Sequence, residues 1–181
     1  MAIETEKKYR IDAARRDEII AELKEAGAEF EQEDFEINSI YGGGTLDENN
    51  AVLRIRTTES GSILTFKKRI ENQFDVKQQI EIETKCDDPK ALAEIITNLG
   101  FVLRLVYEKR RQTWRFRSVE ILLDELPFGL FMEIEGSITS IKEAEMILGF
   151  ENLEVEHETY PRITFRLGKQ NGEVVEARFQ T

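Results

Sequence analysis

The sequence predicts an α+β fold that is mainly β, in which antiparallel strands form a closed sheet with helices packed outside it. Three observations predict this fold. Apolar and polar residues alternate with period two over most of the chain, three helical segments separate groups of strands, and the polar positions of the strands are almost wholly ionic. At 181 residues the chain is expected to form one domain, residues 1–181, with ample length for a core.

Three helices are predicted from apolar periodicity. Each begins near a residue that can cap its first turn, and each ends at a glycine. They cover residues 13–26 after Asp12, the segment from Pro89 to Gly100 capped by Asp87 or Asp88, and the segment from Ser140 to Gly149.

The strands follow from segments of strict alternation. After IETEKKY at the N-terminus these are VLRIR, ILTFKKR, VKQQIEIE, VYEKRRQTWRF, EILLD and FMEIE. TTESGS is predicted as a hairpin turn, and RIENQFD as a longer one. An acidic strand followed by a helix that ends in glycine occurs three times, beginning with IETEKK, IEIETK and MEIEGS. This repeat favours two related halves of one closed sheet over a solenoid.

Composition excludes several classes of function. The net charge of −11 disfavours a nucleic-acid-binding role, which depends on Lys and Arg. No apolar run approaches the roughly 18 residues that a membrane span requires, and the N-terminus lacks the layout of a signal peptide. Cys86 and His157 are each the single residue of their type, which argues against disulfides, zinc clusters and a serine–histidine triad. A cytoplasmic location is therefore expected, with His157 on the surface.

The ionic sides of the strands carry like charges in pairs, such as Glu4 with Glu6 and Arg54 with Arg56. Such pairs repel unless a counter-ion lies between them. The simplest alternative is an open sheet whose charged side faces solvent. Segregated acidic and basic strands instead suit a ligand that carries both signs, such as a metal–triphosphate complex, because carboxylates bind Mg²⁺ or Mn²⁺ and Arg and Lys bind phosphate. An eight-stranded closed sheet is wide enough for one small ligand.

The charged motifs resemble those of the CYTH superfamily, the triphosphate tunnel metalloenzymes. Glu4-x-Glu6-x-Lys8 is similar to the ExExK signature of that family. It is followed in order by LRIR, TFK, KxxxExE, EKRR, LLDELPFGLFMEIE and Tyr160. The resemblance spans nearly the whole chain and is closest to the class IV adenylate cyclase branch, which also resembles thiamine triphosphatases.

The resemblance implies an eight-stranded antiparallel tunnel, a divalent metal (Mg²⁺ or Mn²⁺) and a triphosphate substrate. It also implies roles for matching residues. The metal ligands would be Glu4, Glu6, Asp124, Glu133 and Glu135. The phosphate contacts would be Lys8, Arg54, Arg56, Lys67, Lys77, Lys109 and Arg111. The candidate catalytic residues are Lys8, Glu81, Glu83, Arg111 and Tyr160, and the two glutamates either join the metal ligands or orient metal-bound water.

The sequence departs from the family pattern after the first helix. Asn38 and Gly43 stand where aspartates are expected, although Tyr41 is retained. Residues 42–44 are three glycines without the GKS or GKT of a phosphate-binding loop, so they are interpreted as a flexible connection. Tyr160 either reaches the site or packs in the core. Arg115 is expected at the mouth of the tunnel.

Two reactions fit this site, and they differ in how the triphosphate lies. Attack of a ribose 3′-hydroxyl on the α-phosphorus converts ATP to cyclic AMP and pyrophosphate. Attack of water on the terminal phosphorus makes the protein a triphosphatase for tripolyphosphate, thiamine triphosphate or a nucleotide. A non-catalytic binder of polyphosphate or nucleotide is the third alternative. The protein is expected to be a monomer or a homodimer.

Overall fold

The computed structural model describes residues 2–70 and 76–180. Its β-strands are all connected in one sheet. They are β1 (Ala2–Ile11), β2 (Glu29–Gly42), β3 (Ala51–Thr58), β4 (Gly61–Ile70), β5 (Lys77–Cys86), β6 (Val102–Phe116), β7 (Val119–Leu126), β8 (Gly129–Glu135), β9 (Lys169–Asn171) and β10 (Val174–Ala177).

Eight of these strands close into an antiparallel barrel. Their order is β2-β3-β4-β5-β1-β8-β7-β6, and pairing between β2 and β6 joins the two edges. The short β9–β10 hairpin extends the sheet, with β10 parallel to β6. The predicted closed antiparallel sheet of eight strands is therefore confirmed.

The three predicted helices are present, together with two that were not predicted. Among the described residues, no helix combines the length and the apolar character that crossing a membrane requires. The helices are α1 (Ala13–Glu25), α2 (Thr45–Glu48), α3 (Pro89–Asn98), α4 (Ile138–Leu148) and α5 (Tyr160–Leu167).

Capping side chains explain where the predicted helices begin. Asp12 accepts a hydrogen bond from the first turn of α1, and Asp88, not Asp87, does so for α3. The predicted start of α4 after Ser140 is wrong. The side chain of Ser137 accepts from the amide of Ser140, so Ser137 is the N-cap and the helix begins one turn earlier.

The main hydrophobic core lies between the outer side of the barrel and two helices. Tyr9, Ile121 and Met132 point outward from β1, β7 and β8 and pack under α1 and α4, where Ile19 and Ile141 are fully buried. The helices are thus outside the barrel, as predicted, because the apolar side of each strand points outward.

A second apolar cluster lies at one end of the barrel. Ile40, Leu105 and Phe131 belong to the inward-facing side of their strands and pack against Tyr160 and Ile163 of α5. The barrel interior is therefore charged along most of its length and apolar where α5 covers it.

The structure also settles the turns. The β3–β4 hairpin turns between Thr58 and Gly61, as predicted from TTESGS. Five residues of RIENQFD, 71–75, lie outside the described residues. The three-glycine segment leads from β2 into α2, with Gly43 and Gly44 at positive φ and the Gly43 amide donating to Asp47 Oδ1 at 2.8 Å.

Candidate active site

The charged sides of the strands point into the barrel. Glu6, Lys8, Lys109 and Glu133 retain only 5, 6, 2 and 4% of their exposure. Their neighbours on the opposite side of each strand, such as Tyr9, pack under the helices. The ionic sides therefore line an enclosed channel, and the alternative of an open sheet with a solvated charged side is wrong.

The three acidic strands of the internal repeat are neighbours in the barrel, in the order β5-β1-β8. The register places Glu6 opposite both Lys77 of β5 and Glu135 of β8, and Lys8 opposite Glu133. The repeated acidic strands thus concentrate carboxylates on one part of the channel wall. The basic strands β3 and β4 flank this part on one side, and β7 and β6 flank it on the other.

One group of three carboxylates is suited to a metal ion. Glu4, Glu6 and Glu135 each offer an oxygen within 4.8 Å of the others. Burial, together with the neighbouring Glu4 and Glu133, raises the pKa of Glu135 to about 8 against the effect of Arg111. Burial also acts to raise the pKa of Glu6, but the Lys77 ammonium, 2.9 Å away, holds that pKa below its usual value.

This group fits a hard divalent cation. Its donors are carboxylate oxygens, which Mg²⁺ and Mn²⁺ prefer. Among the described residues no Lys or Arg forms an ion pair with Glu135, so a half-buried carboxylate of this group is left without a close cation. Glu4, Glu6 and Glu135 are accordingly the residues that would hold the predicted metal.

The predicted phosphate-binding residues of β3 and β4 line the same channel. The Lys67 ammonium donates to Glu81 at 2.6 Å and lies 3.6 Å from Glu4. The Arg54 guanidinium lies 3.4 Å from Glu81 and 3.3 Å from Glu83. Lys67, Arg54 and the two glutamates of β5 thus form one continuous network next to the three-carboxylate group.

A second network surrounds Asp124 on β7. Arg111 donates to both oxygens of Asp124, at 2.7 and 2.6 Å, and to Glu133 at 2.6 Å. The Tyr160 hydroxyl donates to the same aspartate at 2.7 Å, and the Lys109 ammonium lies 3.5 Å from it. Asp124 and Glu133 therefore belong to an ion-paired network beside the three-carboxylate group, and their role as metal ligands stays a prediction.

Tyr160 combines the two roles left open by the sequence. Its ring packs against Phe131 with centroids 5.3 Å apart, and its hydroxyl reaches Asp124. The Lys8 ammonium lies 4.2 Å from the centre of the same ring. Burial lowers the pKa of Lys8, although Glu133 and Glu6 act in the opposite direction. Tyr160 thus links α5 to the charged channel.

Sequence reasoning missed Glu36, which lies inside the channel on β2. It is 2% exposed, 3.2 Å from the Lys109 ammonium and 3.4 Å from Arg56, and it accepts from Asn38 at 3.1 Å. Burial acts to raise its pKa, but Lys109 and Arg56 lower it well below the usual value. A signal for Glu36 was present in the sequence. Glu36 and Asn38 are two residues apart and therefore share a side of the strand, like the charged pairs on the other strands. Asn38, which stands where the family pattern has an aspartate, therefore lies in a strand of the channel wall.

Two residues that were expected outside the site, Arg115 and His157, do lie outside it. Arg115 is largely exposed and pairs with Glu31 and Glu120. His157 is exposed. The structure thus brings all fifteen predicted site residues to one barrel, but into separate networks, and their functional roles stay predictions.

The fold and the site together define the class of protein: a closed antiparallel barrel with a charged channel and, on its wall, a group of carboxylates suited to a metal ion. The chain matches the model of the CYTH domain family over residues 2–160. It therefore belongs to the CYTH domain family, as its motifs predicted.

Similar proteins include one curated relative and several solved structures. A candidate adenylate cyclase of Methanocaldococcus jannaschii is 30% identical over 149 residues, which cover 81% of this chain and 83% of that protein. A protein from Pyrococcus horikoshii has a TM-score of 0.76 at 22% identity, covering 88% of this chain and 98% of the other. A candidate adenylyl cyclase from Hippeastrum, reported to have a dominant triphosphatase activity, has a TM-score of 0.67 at 18% identity, covering 94% and 98%. The two structures share the fold.

Proposed function

We propose that this protein is a divalent-metal-dependent enzyme that acts on a triphosphate inside the barrel, converting ATP to cyclic AMP and pyrophosphate. The observation that supports this most is the three-carboxylate group of Glu4, Glu6 and Glu135 facing a channel lined by Lys and Arg. The Methanocaldococcus relative, named as a candidate adenylate cyclase, favours the cyclase over other triphosphate chemistry.

The chain's own residues would bind and orient the substrate. Phosphoryl transfer depends mainly on positioning and on neutralising charge. Lys67 and Arg54 on one flank, and Arg111 and Lys109 on the other, are placed to hydrogen-bond phosphate oxygens once a substrate displaces their present carboxylate partners. When bound to the three-carboxylate group, Mg²⁺ or Mn²⁺ supplies further charge neutralisation and makes the attacking hydroxyl more acidic. In the cyclase reaction the 3′-oxygen forms a bond to the α-phosphorus as the bond to pyrophosphate breaks.

A triphosphatase activity is the second candidate. It is favoured by Glu81 and Glu83, which lie on the channel wall beside the three-carboxylate group and could orient an attacking water. The Hippeastrum protein shows that the same fold supports a triphosphatase. Both reactions use the same walls, so the position of the triphosphate decides between them.

One experiment separates the candidates. The purified protein is incubated with Mg²⁺ or Mn²⁺ and either ATP or tripolyphosphate, and the products are separated by ion-exchange chromatography. Cyclic AMP with pyrophosphate is the expected result, and orthophosphate would establish the triphosphatase instead. Metal-dependent binding without turnover would show a non-catalytic binder.

The cytoplasmic location and the monomer or homodimer state stay predictions.

A further inference from the structure

A neutral side chain, Gln79 of β5, lies among the charged side chains on the wall of the channel. It is 4% exposed, and it stands between Lys77 and Glu81 on the inward-facing side of its strand. It is not among the residues that the sequence predicted to carry function. Because a buried amide needs partners for its polar atoms, the groups that it contacts indicate what it does.

The amino group of Gln79 binds two carboxylates at once. Nε2 donates to Glu4 Oε2 at 2.5 Å and to Glu81 Oε2 at 3.0 Å. Glu4 and Gln79 are directly opposite each other on β1 and β5, and Glu81 follows two residues later on the same side of β5. Both hydrogens of the amino group are thereby used. An amide oxygen in this place would repel both carboxylates, so these contacts fix the orientation of the side chain.

The same two carboxylate oxygens also lie near a cation. The Lys67 ammonium is 2.6 Å from Glu81 Oε2 and 3.6 Å from Glu4 Oε2. Lys67 is one of the residues placed to bind phosphate when a substrate displaces their carboxylate partners. An uncharged amide is attracted to phosphate less strongly than an ammonium is. Gln79 would therefore keep its two hydrogen bonds while Lys67 moves to the substrate.

The neutrality of Gln79 suits a carboxylate that binds a metal. Glu4 offers an oxygen to the three-carboxylate group with Glu6 and Glu135. A positively charged side chain in the place of Gln79 would lower the negative charge available to a divalent cation. An amide orients the carboxylate without neutralising it, and hydrogen bonds of this kind to metal ligands influence metal affinity strongly.

We propose that Gln79 is a positioning residue for the metal, which orients Glu4 as a neutral donor and holds Glu81 beside it while Lys67 binds phosphate. It acts through Glu4 and does not itself bind the metal or the substrate. The inference rests on the proposed function, because it concerns the metal of the same site.

The first test measures Mn²⁺ binding to the purified protein without any triphosphate, from the electron paramagnetic resonance signal of the free ion. Gln79→Met keeps the length of the side chain and removes both hydrogen bonds. It is expected to weaken Mn²⁺ binding about tenfold, the low end of what an outer partner of a metal ligand contributes. Because Lys67 still neutralises both carboxylates, the fold should remain, and circular dichroism checks this.

Gln78→Met is the matched control. Gln78 is the neighbouring glutamine on the opposite side of the same strand, and its amide donates to Thr5 Oγ1 at 3.2 Å, outside the channel. This variant loses a hydrogen bond of the same kind but none to a carboxylate of the site. Its Mn²⁺ affinity should differ from that of the unmodified protein by less than about twofold.

Gln79→Lys tests whether the donor has to be neutral. Its ammonium can still donate to Glu4 and Glu81, so the fold should be kept even if Gln79→Met proves unstable. Its charge should nevertheless weaken Mn²⁺ binding at least as much as the methionine does. If hydrogen bonding alone mattered, lysine would restore the affinity, and such a recovery would overturn the inference.

Turnover separates an effect on the metal from an effect on the substrate. In Gln79→Met the Mn²⁺ concentration for half-maximal activity should rise about tenfold, whereas KM for ATP or tripolyphosphate at saturating Mn²⁺ should change by less than about twofold. A changed KM with unchanged Mn²⁺ affinity would show that Gln79 binds the substrate and would overturn the inference.

Two further outcomes distinguish this inference from the proposed function. Equal Mn²⁺ affinity in Gln79→Met and the unmodified protein would overturn the role of Gln79 and leave the proposed function standing. If the unmodified protein neither binds Mn²⁺ nor converts either triphosphate in its presence, the proposed function itself is wrong, and this inference with it.

Discussion

Two groups of carboxylates line the same channel, and they differ in what neutralises them. Asp124, Glu133 and Glu36 are buried against Arg111, Lys109 and Arg56, with charged atoms 2.6–3.5 Å apart. In the other group, Glu135 has no such partner among the described residues, and burial together with the neighbouring carboxylates raises its pKa to about 8. Every carboxylate of the first group has a close cation, whereas in the second group Lys77 and Lys67 lie near Glu6 and Glu4 and, within the described ranges, Glu135 is left without one.

The difference separates carboxylates that the protein itself neutralises from a group that is left open to a metal ion. A buried carboxylate that keeps a guanidinium partner needs no further ligand, and its removal leaves an uncompensated charge. A group of carboxylates with too few cations is instead a strong candidate for binding a metal. We therefore expect changes in the first group to lower stability in addition to any effect on substrate binding, and changes in the second to lower activity while the fold is kept.

The largest effect is expected from the double substitution Glu4→Gln and Glu6→Gln. Loss of even an outer partner of a metal ligand costs about 10–100-fold in affinity or activity, so loss of two ligands should reduce metal-dependent turnover at least 100-fold. Glutamine keeps the shape of both side chains, so the fold should remain. Turnover is measured with saturating Mn²⁺ or Mg²⁺, and the fold is checked by circular dichroism. Full activity in this variant would exclude the assigned role.

The next largest effect is expected at Arg111, where the change acts on stability. Arg111→Met leaves Asp124 and Glu133 buried without their main partner, which should lower the free energy of unfolding by about 3–5 kcal/mol. Arg115→Met is the matched control, because Arg115 pairs with glutamates at the surface and such pairs contribute about 0–1 kcal/mol. Urea denaturation measures both. Similar losses in the two variants would contradict the distinction between the buried network and the surface.

Glu36 makes the stability of the first group dependent on pH. Lys109 and Arg56 lower its pKa in the folded protein, so its stabilising effect is complete above the unfolded pKa of about 4.5. That effect is lost as the pH falls below about 4.5 toward the folded pKa. Glu36→Gln should lower the free energy of unfolding at pH 7 by about 1–3 kcal/mol.

The same variant should show a weaker loss of stability on acidification than the unmodified protein. Urea denaturation at pH 7, 5 and 4 measures this difference. Glu25→Gln is the control, because Glu25 is exposed at the end of α1. An unchanged pH dependence in Glu36→Gln would show that another group controls acid unfolding.

The smallest effect is expected from Tyr160→Phe, which keeps the ring and removes the hydrogen bond to Asp124. Its cost should be about 1–1.5 kcal/mol in the free energy of unfolding. Tyr160→Ala removes the packing against Phe131 as well and should cost about 3–5 kcal/mol. Thermal and urea denaturation distinguish the two contributions. Equal losses would show that the hydroxyl alone accounts for the effect of Tyr160.

Much of the fold and of the channel lining was predictable because alternation reports side-chain direction directly. In a strand, residues two apart share a side, so the alternation alone puts pairs such as Arg54 and Arg56 on the same side. The first half of β2 gave no such signal, because Glu29–Gln32 are exposed on both sides and alternation of polar with apolar residues is absent. Helix α5 has only eight residues, too few for a periodic pattern to stand out from chance.

By itself the sequence determined the inward direction of the charged residues and the family, and through the family resemblance the eight-stranded closed sheet. Only the tertiary structure decided which charges meet. The register places Glu6 against Glu135, while Asp124 meets Arg111, Lys109 and Tyr160. These contacts join strands and a helix that are far apart in the chain, and they depend on strand order, register and closure of the barrel. Local alternation carries information about direction and none about long-range partners.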